Sequence, residues 1–141
     1  MPTIVYLIDD EPDLLELLGS AIEQIKLQHQ SFEKAGDFFD SVKEFSQDAI
    51  LVLDLDMPDM DGIELLRLLT EYDAPPAAIV FSGEDPRLLE TASDLAGNFG
   101  LHILGAMPKP ISRDKLERLL NAFLSELPQD SATDELIILT E

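Results

Sequence analysis

The chain has 141 residues, with 9 Lys and Arg against 29 Asp and Glu, and its formal net charge at pH 7 is −20. This length suits a single domain with a good-sized core. A charge this negative repels phosphate backbones and anionic membranes, which excludes a nucleic-acid-binding surface and argues against membrane binding.

The composition also bears on where the protein works. The chain has no cysteine, so it forms no disulfide and carries no thiolate chemistry, in agreement with a reducing compartment. Its first residues, MPTIVYLIDDE, lack a basic region and reach acid at Asp9, unlike a signal peptide. No apolar run approaches the ~20 residues of a membrane-spanning helix. We therefore predict a soluble, cytoplasmic protein.

Apolar runs of strand length alternate with helical patterns along the chain. The first predicted strand covers residues 4–8, and the first helix opens at Pro12, a residue favoured in the first helical turn. The later predicted strands are residues 30–35, 49–53, 77–81 and 100–104. The later predicted helices are residues 36–45, residues 63–69, a helix that opens at Pro86 and a helix capped by Ser112.

Nearly continuous apolar strands joined by helices indicate a parallel sheet that is covered on both faces. In such folds the polar site lies at the carboxyl ends of the strands, near the switch in strand order. The polar residues at these ends are Asp9 and Asp10 after strand one, Asp54 after strand three, Ser82 after strand four and Lys109 after strand five. We expect them to meet at one edge of the sheet.

The composition changes after residue 127. Residues 128–135, PQDSATDE, are polar and typical of a linker, whereas residues 136–141, LIILTE, are mostly apolar. We therefore predict one domain at residues 1–127 and a linker or tail at residues 128–141. The apolar hexamer either folds back on the domain or begins a further domain that is absent.

The segment ILVLDLDMPDMDG, residues 50–62, places four carboxylates at the exit of an apolar strand. A calcium-binding EF-hand loop needs alternating oxygen ligands and a glycine at the sixth position, and neither Asp54 nor Asp59 as first ligand gives this pattern. A solvated turn explains Asp59 and Asp61, because Pro-Asp-x-Asp-Gly is favourable turn and cap chemistry.

A solvated turn does not explain Asp54 together with Asp9 and Asp10. Three carboxylates that converge at strand ends repel one another unless a cation lies among them. Hard oxygen ligands in a strand-end cleft suit Mg²⁺, which keeps several waters and takes few protein ligands. We therefore predict a magnesium site here.

A haloacid-dehalogenase-like phosphatase is an alternative hypothesis, because its first motif is an apolar strand followed by Asp-x-Asp, as in VLDLD at residues 52–56. Such enzymes normally carry that strand near the N-terminus and an acidic pair after the lysine. Here the pair of Asp9 and Asp10 precedes Asp54, and no acidic residue follows a strand after Lys109.

Four segments together resemble the receiver domains of two-component response regulators. They are LIDDE (7–11), LDLDMPDMDG (53–62), VFSGED (80–85) and PKPI (108–111), in the order and spacing of that family. The resemblance covers roughly residues 3–127. It implies a flavodoxin-like (CheY-like), doubly wound α/β fold with five parallel strands in the order 2-1-3-4-5 and helices on both faces.

The resemblance implies a phosphoacceptor in a phosphorelay, rather than an enzyme with turnover. The phosphoryl group would come from a sensor histidine kinase or a phosphotransfer protein, and its arrival would switch a downstream partner or output domain. By match to the family motifs, Asp54 is the phosphoacceptor and Ser82 carries the switch hydroxyl. The ammonium of Lys109 contacts a phosphoryl oxygen, and a cis peptide bond between Lys109 and Pro110 directs it into the site. The backbone N–H groups of Leu55 and Gly83 complete the phosphoryl cradle.

The same resemblance assigns the metal ligands and the residues that set the lifetime of the phosphoryl group. Asp10 matches a direct Mg²⁺ ligand, and Asp9 a ligand that acts mainly through water. Asp54 matches a further ligand, so that Mg²⁺ bridges Asp54 and a phosphoryl oxygen. The backbone carbonyl of Asp56 matches a third protein ligand. The side chains of Asp56 and Glu84 flank the path of an attacking water and would tune the lifetime.

The chain departs from the family at Ala106, where many receivers carry Tyr or Phe three residues before the lysine. The usual coupling between the hydroxyl and an aromatic rotamer therefore cannot operate in that form. Two output hypotheses remain: a stand-alone receiver that docks on a partner, or the receiver portion of a larger regulator. Residues 81–112 are similar to receivers fused to EAL-type cyclic-di-GMP phosphodiesterases, so a domain of this type is one candidate output domain for the second form.

Overall fold

The computed structural model describes residues 3–57, 61–83 and 86–126. The strands in these residues are β1 (Ile4–Ile8), β2 (Gln28–Phe32), β3 (Ile50–Asp54), β4 (Ala77–Ser82) and β5 (Ile103–Pro108). The helices are α1 (Pro12–Gln24), α2 (Ala35–Ser41), α3 (Gly62–Leu69), α4 (Pro86–Phe99) and α5 (Arg113–Glu126). Strand and helix alternate along the chain, as predicted.

The five strands form one sheet in the order β2-β1-β3-β4-β5, and every neighbouring pair is parallel. This confirms the predicted fold class. The register pairs Ile8 of β1 with Leu53 of β3, and Ser82 of β4 with Pro108 of β5. Because the strands are parallel and in step, the residues that follow each strand lie along one edge of the sheet.

Helices cover both faces of the sheet, which explains why β3 and β4 are buried along their whole length. Leu51 and Leu53 face a core that includes residues of α2 and α3. Their neighbours Ile50 and Val52 face a second core with residues of α1 and α5. This alternation fixes the register of the central strands, because a slip by one residue would move every side chain to the other face.

Two predicted strands are displaced from their observed positions. The second strand lies at Gln28–Phe32 rather than at 30–35, because this edge strand is mostly exposed and polar and gives no clear apolar alternation. The fifth lies at Ile103–Pro108 rather than at 100–104. Gly100 instead has φ +77° just after the end of α4, the left-handed conformation that commonly follows a helix.

Smaller differences concern the ends of the other elements. The second helix is shorter than predicted, since Val42 has an extended backbone at its C-cap. None of the described helices combines the length and the apolar character that a bilayer crossing requires.

Several predictions concern residues that the structure does not describe. These are the linker and tail at 128–141, the domain boundary at 127, and the residues Asp59 and Glu84.

Candidate functional site

Three carboxylates meet where β1 and β3 end. Asp9 and Asp10 follow β1, Asp54 is the last residue of β3, and one oxygen from each lies within 4.8 Å of the others. Asp9 and Asp54 are 1% and 0% exposed, whereas Asp10 faces solvent. The structure thus brings together the three side chains that the sequence predicted to share a site.

The two oxygens of the Asp9 carboxylate differ in their hydrogen bonding within the described residues. Its Oδ1 accepts the backbone N–H of Glu11 at 2.8 Å. Its Oδ2 is buried and has no hydrogen-bond partner among the described residues. The pKa of Asp9 is raised to about 7, first by burial and then by the nearby charge of Asp54, against the lowering effects of the Glu11 N–H and of Lys109.

The three carboxylates fit a small, hard divalent cation. A buried carboxylate oxygen without a partner is costly, and a cation between the three aspartates would satisfy it and offset their repulsion. Hard oxygen ligands, one of them exposed to water, are the set expected for Mg²⁺.

Asp54 is oriented by contacts to both of its oxygens. Oδ1 accepts the backbone N–H of Asp56 at 2.9 Å, and Oδ2 accepts the ammonium of Lys109 at 3.1 Å. Burial raises the pKa of the Asp54 carboxyl, although both of these hydrogen bonds lower it. Burial alone would lower the pKa of Lys109, but its hydrogen bond to Asp54 and the surrounding carboxylates leave that pKa raised. Lys109 is therefore charged, and it supplies the positive charge that opposes protonation of Asp54.

Lys109 reaches this position from the end of β5. Its backbone N–H donates to the carbonyl oxygen of Ser82 at 3.0 Å, and the peptide bond to Pro110 is cis, as the resemblance implied. The ammonium lies 5.6 Å from the centroid of the Phe81 ring. A Cβ added to Gly83 would lie 3.1 Å from Cδ of Lys109, so the absence of a side chain at Gly83 leaves room for the lysine.

The side chain of Asp56 makes contacts that the sequence did not predict. Its Oδ1 accepts the Ser82 hydroxyl at 2.8 Å, and its Oδ2 accepts the Gly83 backbone N–H at 2.7 Å. Sequence reasoning gave Asp56 a backbone role and a role in lifetime, but it did not connect this carboxylate to β4. The only signal that the sequence offered was the position of Asp56 two residues after Asp54.

The backbone donors differ in part from those expected. The N–H of Leu55 donates to the Phe81 carbonyl at 2.9 Å, so it continues the sheet hydrogen bonding and is not free in this structure. The N–H beside the Asp54 carboxylate is that of Asp56. A cradle role for Leu55 would require its bond to Phe81 to open, and it stays a prediction.

The acidic turn after β3 leads into α3. Asp61 caps this helix, its side chain accepting the Ile63 N–H at 2.9 Å, as predicted. Gly62 lies against Leu55 so closely that an added Cβ would be 2.6 Å from the Leu55 Cα. The start of α3 is therefore pressed onto the segment that follows Asp54.

Ala106, the departure from the family pattern, lies on the edge strand β5, paired with Val80. It is exposed, whereas its neighbour Met107 is 3% exposed. Its side chain thus lies away from the core face that Met107 joins.

Comparison with known proteins agrees with this geometry. The sequence model of the response regulator receiver domain family matches residues 5–121 of this chain. The response regulator protein TodT of Pseudomonas putida is 28% identical over 127 residues, which are 90% of this chain and 53% of TodT. The positive alginate biosynthesis regulatory protein of Pseudomonas aeruginosa is 30% identical over 122 residues, covering 82% of this chain and 45% of that protein. The chain thus spans about half the length of these curated relatives.

Solved structures give the same result. A response regulator from Colwellia psychrerythraea superimposes with a TM-score of 0.77 at 31% identity, covering 90% of this chain and 100% of that one. The structure of FixJ-N superimposes with a TM-score of 0.75 at 22% identity, over 92% of this chain and 98% of that one, which supports the fold alone. The chain belongs to the response regulator receiver domain family.

Proposed function

We propose that this receiver domain accepts a phosphoryl group on Asp54 in a Mg²⁺-dependent reaction and thereby switches a partner or an output domain. The observation that carries the proposal is the pairing of a wholly buried Asp54 with the Lys109 ammonium at 3.1 Å, beside Asp9 and Asp10. A buried carboxylate with both oxygens hydrogen-bonded has a fixed orientation, which is what attack on phosphorus requires. The family match gives no support to the phosphatase alternative.

In the proposed reaction, one oxygen of the ionised Asp54 carboxylate attacks the phosphorus of a phosphohistidine or a small acyl phosphate. The new O–P bond forms as the bond from phosphorus to the donor nitrogen or oxygen breaks, and the bonding pair leaves with the donor. Lys109 neutralises charge on the phosphoryl oxygens as a point charge. Ser82 and Gly83 donate to those oxygens from the end of β4.

Asp9, Asp10 and the carbonyl of Asp56 would hold Mg²⁺, with Asp54 as a further ligand. When bound, the ion supplies positive charge against the carboxylates and the transferred group. Oδ2 of Asp9, which is buried and accepts no hydrogen bond from the described residues, supports this assignment. The side chains of Asp56 and Glu84 are proposed to tune the lifetime of the phosphoryl group.

The phosphodonor we propose is a sensor histidine kinase or a phosphotransfer protein, and the compartment we propose is the cytoplasm. One similar protein, BarA of Escherichia coli, is itself described as a signal transduction histidine-protein kinase, and 12% of its length aligns with this chain at 28% identity. A stand-alone receiver and a receiver joined to an output domain, EAL-type for example, are the two forms of output that we propose.

The direct test is phosphorylation followed by mass spectrometry of the intact protein. Incubation with acetyl phosphate or phosphoramidate and Mg²⁺ should add one phosphoryl group to the wild type and none to Asp54→Asn. Full labelling of Asp54→Asn would overturn the proposal. Steady turnover of a general phosphatase substrate at a rate typical of enzymes, ~10 s⁻¹, would instead favour the phosphatase.

A further inference from the structure

The carboxylate of Asp56 occupies the two donors that the proposed function assigns to the phosphoryl group. Ser82 and Gly83 both donate to it, at 2.8 and 2.7 Å, one to each oxygen. Its Oδ2 also lies 4.0 Å from the Lys109 ammonium, and the Asp56 side chain is 8% exposed. We call Asp56, Ser82 and Gly83 with these two hydrogen bonds the Asp56 latch.

The latch and the phosphoryl group cannot both use these donors. A hydroxyl carries one donor proton and a backbone N–H carries one. Each donor can therefore serve either the Asp56 carboxylate or a phosphoryl oxygen on Asp54. Both acceptors are anionic, so both bonds are of the stronger, charge-assisted kind, and an exchange between them is a choice between two comparable states.

We propose that Asp56 is a positioning residue that competes with the phosphoryl group for Ser82 and Gly83, and that it thereby opposes the phosphorylated state. This inference rests on the proposed phosphorylation of Asp54. It goes beyond lifetime tuning, since the carboxylate acts before any water attacks. Phosphorylation then has to release the Asp56 side chain from β4, and this release is the first movement of the switch.

The backbone of Asp56 stays in place during this exchange. Its N–H donates to Asp54 Oδ1, and its carbonyl is the proposed metal ligand, so only the side chain has to turn away. Side-chain variants therefore test the latch without removing the backbone groups of the site. Asp56→Ala frees both donors. Asp56→Asn keeps the shape of the side chain but leaves a single acceptor oxygen, so it frees one donor.

A simpler explanation of any effect is charge, because removing one carboxylate near Asp54 favours a bound anion in any geometry. The two explanations differ in the Ser82→Ala background. If Asp56 acts only by charge, Asp56→Ala improves anion binding equally with and without the hydroxyl. If Asp56 acts as a latch, the improvement is smaller in Ser82→Ala, because one of the two latch bonds is already gone.

The experiment measures beryllofluoride binding in the presence of Mg²⁺ for wild type, Asp56→Ala, Asp56→Asn, Ser82→Ala and the double variant Asp56→Ala/Ser82→Ala. We expect Asp56→Ala to bind about tenfold more tightly, as expected for at least one charge-assisted bond released, and Asp56→Asn to lie between it and the wild type. The gain from Asp56→Ala should fall severalfold in the Ser82→Ala background. Glu64→Gln, which makes the same change in net charge on a helix surface, should bind as the wild type does.

The Gly83 amide proton gives a second measurement, in the protein without beryllofluoride or metal. A strong bond to a carboxylate shifts this proton downfield and slows its exchange with solvent. In Asp56→Ala the Gly83 proton should lose both its downfield shift and its slow exchange. The amide protons of β4 should keep their chemical shifts, which shows that the variant is folded.

The failures of the two proposals are distinguishable. If wild type neither binds beryllofluoride nor is labelled on Asp54, the proposed function is wrong. If wild type does both, the latch is overturned by either of two results: an Asp56→Ala affinity equal to that of Glu64→Gln, or an equal gain with and without the Ser82 hydroxyl.

Discussion

The ammonium of Lys109 lies 3.1 Å from Oδ2 of Asp54, although 55 residues separate the two along the chain. The sheet order explains the contact, because β3, β4 and β5 are neighbours and their carboxyl ends share one edge. Asp54 is wholly buried and Lys109 is 23% exposed. The lysine therefore stabilises the carboxylate in the unphosphorylated domain, in addition to its proposed role at the phosphoryl group.

Replacing this lysine should affect both stability and phosphorylation. Lys109→Ala leaves the Asp54 carboxylate buried without its cation, which typically costs about 3–5 kcal/mol for a buried pair, less here because the lysine is partly exposed. We expect a lower free energy of unfolding in urea, and labelling by acetyl phosphate at least about tenfold slower, equivalent to about 1.4 kcal/mol of barrier.

Arg118→Ala is the matched control, since it removes a cation from α5 outside the site. Labelling of Lys109→Ala at the rate of this control would show that the ammonium does not act on the phosphoryl group.

Magnesium should stabilise the folded domain, and removing one of its ligands should mimic part of that effect. A ligand at a hundredfold excess over its dissociation constant adds about 2.7 kcal/mol of stability. Asp10→Ala removes a repelling carboxylate, so its melting temperature without metal should rise above that of the wild type, while its response to Mg²⁺ should shrink. A Mg²⁺ response as large as that of the wild type would show that the metal binds elsewhere.

Stability without metal should fall as the pH rises from about 4 to about 7, the interval between the ordinary pKa of an aspartate, 3.8, and the pKa of Asp9, about 7. The folded protein keeps a proton on Asp9 across this interval, whereas the unfolded chain has lost it, so each rise in pH favours unfolding. The raised pKa of Asp54 acts in the same direction.

The corresponding test is urea unfolding in a chelator across this pH range. Asp9→Asn should flatten the decline and be more stable than the wild type above pH 7 by on the order of 2–4 kcal/mol. Glu16→Gln, at an exposed position on α1, should leave the decline unchanged. A decline of wild-type steepness in Asp9→Asn would assign it to other groups.

The contact of Gly62 with Leu55 predicts a strong preference for glycine. A Cβ at position 62 would lie 2.6 Å from the Leu55 Cα, a backbone atom that cannot move aside alone. Gly62→Ala should therefore lower the free energy of unfolding by about 1–3 kcal/mol. Gly97→Ala is the control, because nothing lies within 4 Å of a Cβ there, and alanine should favour α4 by up to about 1 kcal/mol. Equal stabilities for the two variants would contradict the crowding at Leu55.

The central part of the fold was accessible from the sequence because burial leaves a clear pattern. The wholly buried strands β3 and β4 were predicted to within one residue, and with them the positions of Asp54 and Ser82 at the strand ends. The predicted positions of the edge strands were displaced from the observed ones, because the polar residues of β2 and the short Leu-Gly-Ala stretch of β5 carry no such pattern.

The site was predictable as a set of residues but not as a network of bonds. Strand order and family resemblance brought Asp9, Asp10, Asp54 and Lys109 together. The direction of the Asp56 carboxylate could not be predicted, because it depends on the side-chain torsions in a short turn and on where the end of β4 lies beside it. The bond between the Leu55 N–H and Phe81 was missed because one N–H is indistinguishable from the next in a sequence.

Signalling in this domain should not require an aromatic side chain beside the lysine. Ala106 is exposed on β5 and has no side-chain torsion to switch. The signal must then leave through Ser82 and the start of α4, as a two-state element biased by the phosphoryl group.

Beryllofluoride should therefore change amide exchange mainly in residues 82–89, with smaller changes in residues 101–107. Ala106→Tyr should leave labelling of Asp54 nearly intact, because position 106 faces solvent rather than the core beside the acceptor. Ser82→Ala should suppress the exchange response, since the hydroxyl that leaves Asp56 for the phosphoryl group is absent. An exchange response in Ser82→Ala equal to that of the wild type would show that the signal takes a route that does not involve this hydroxyl.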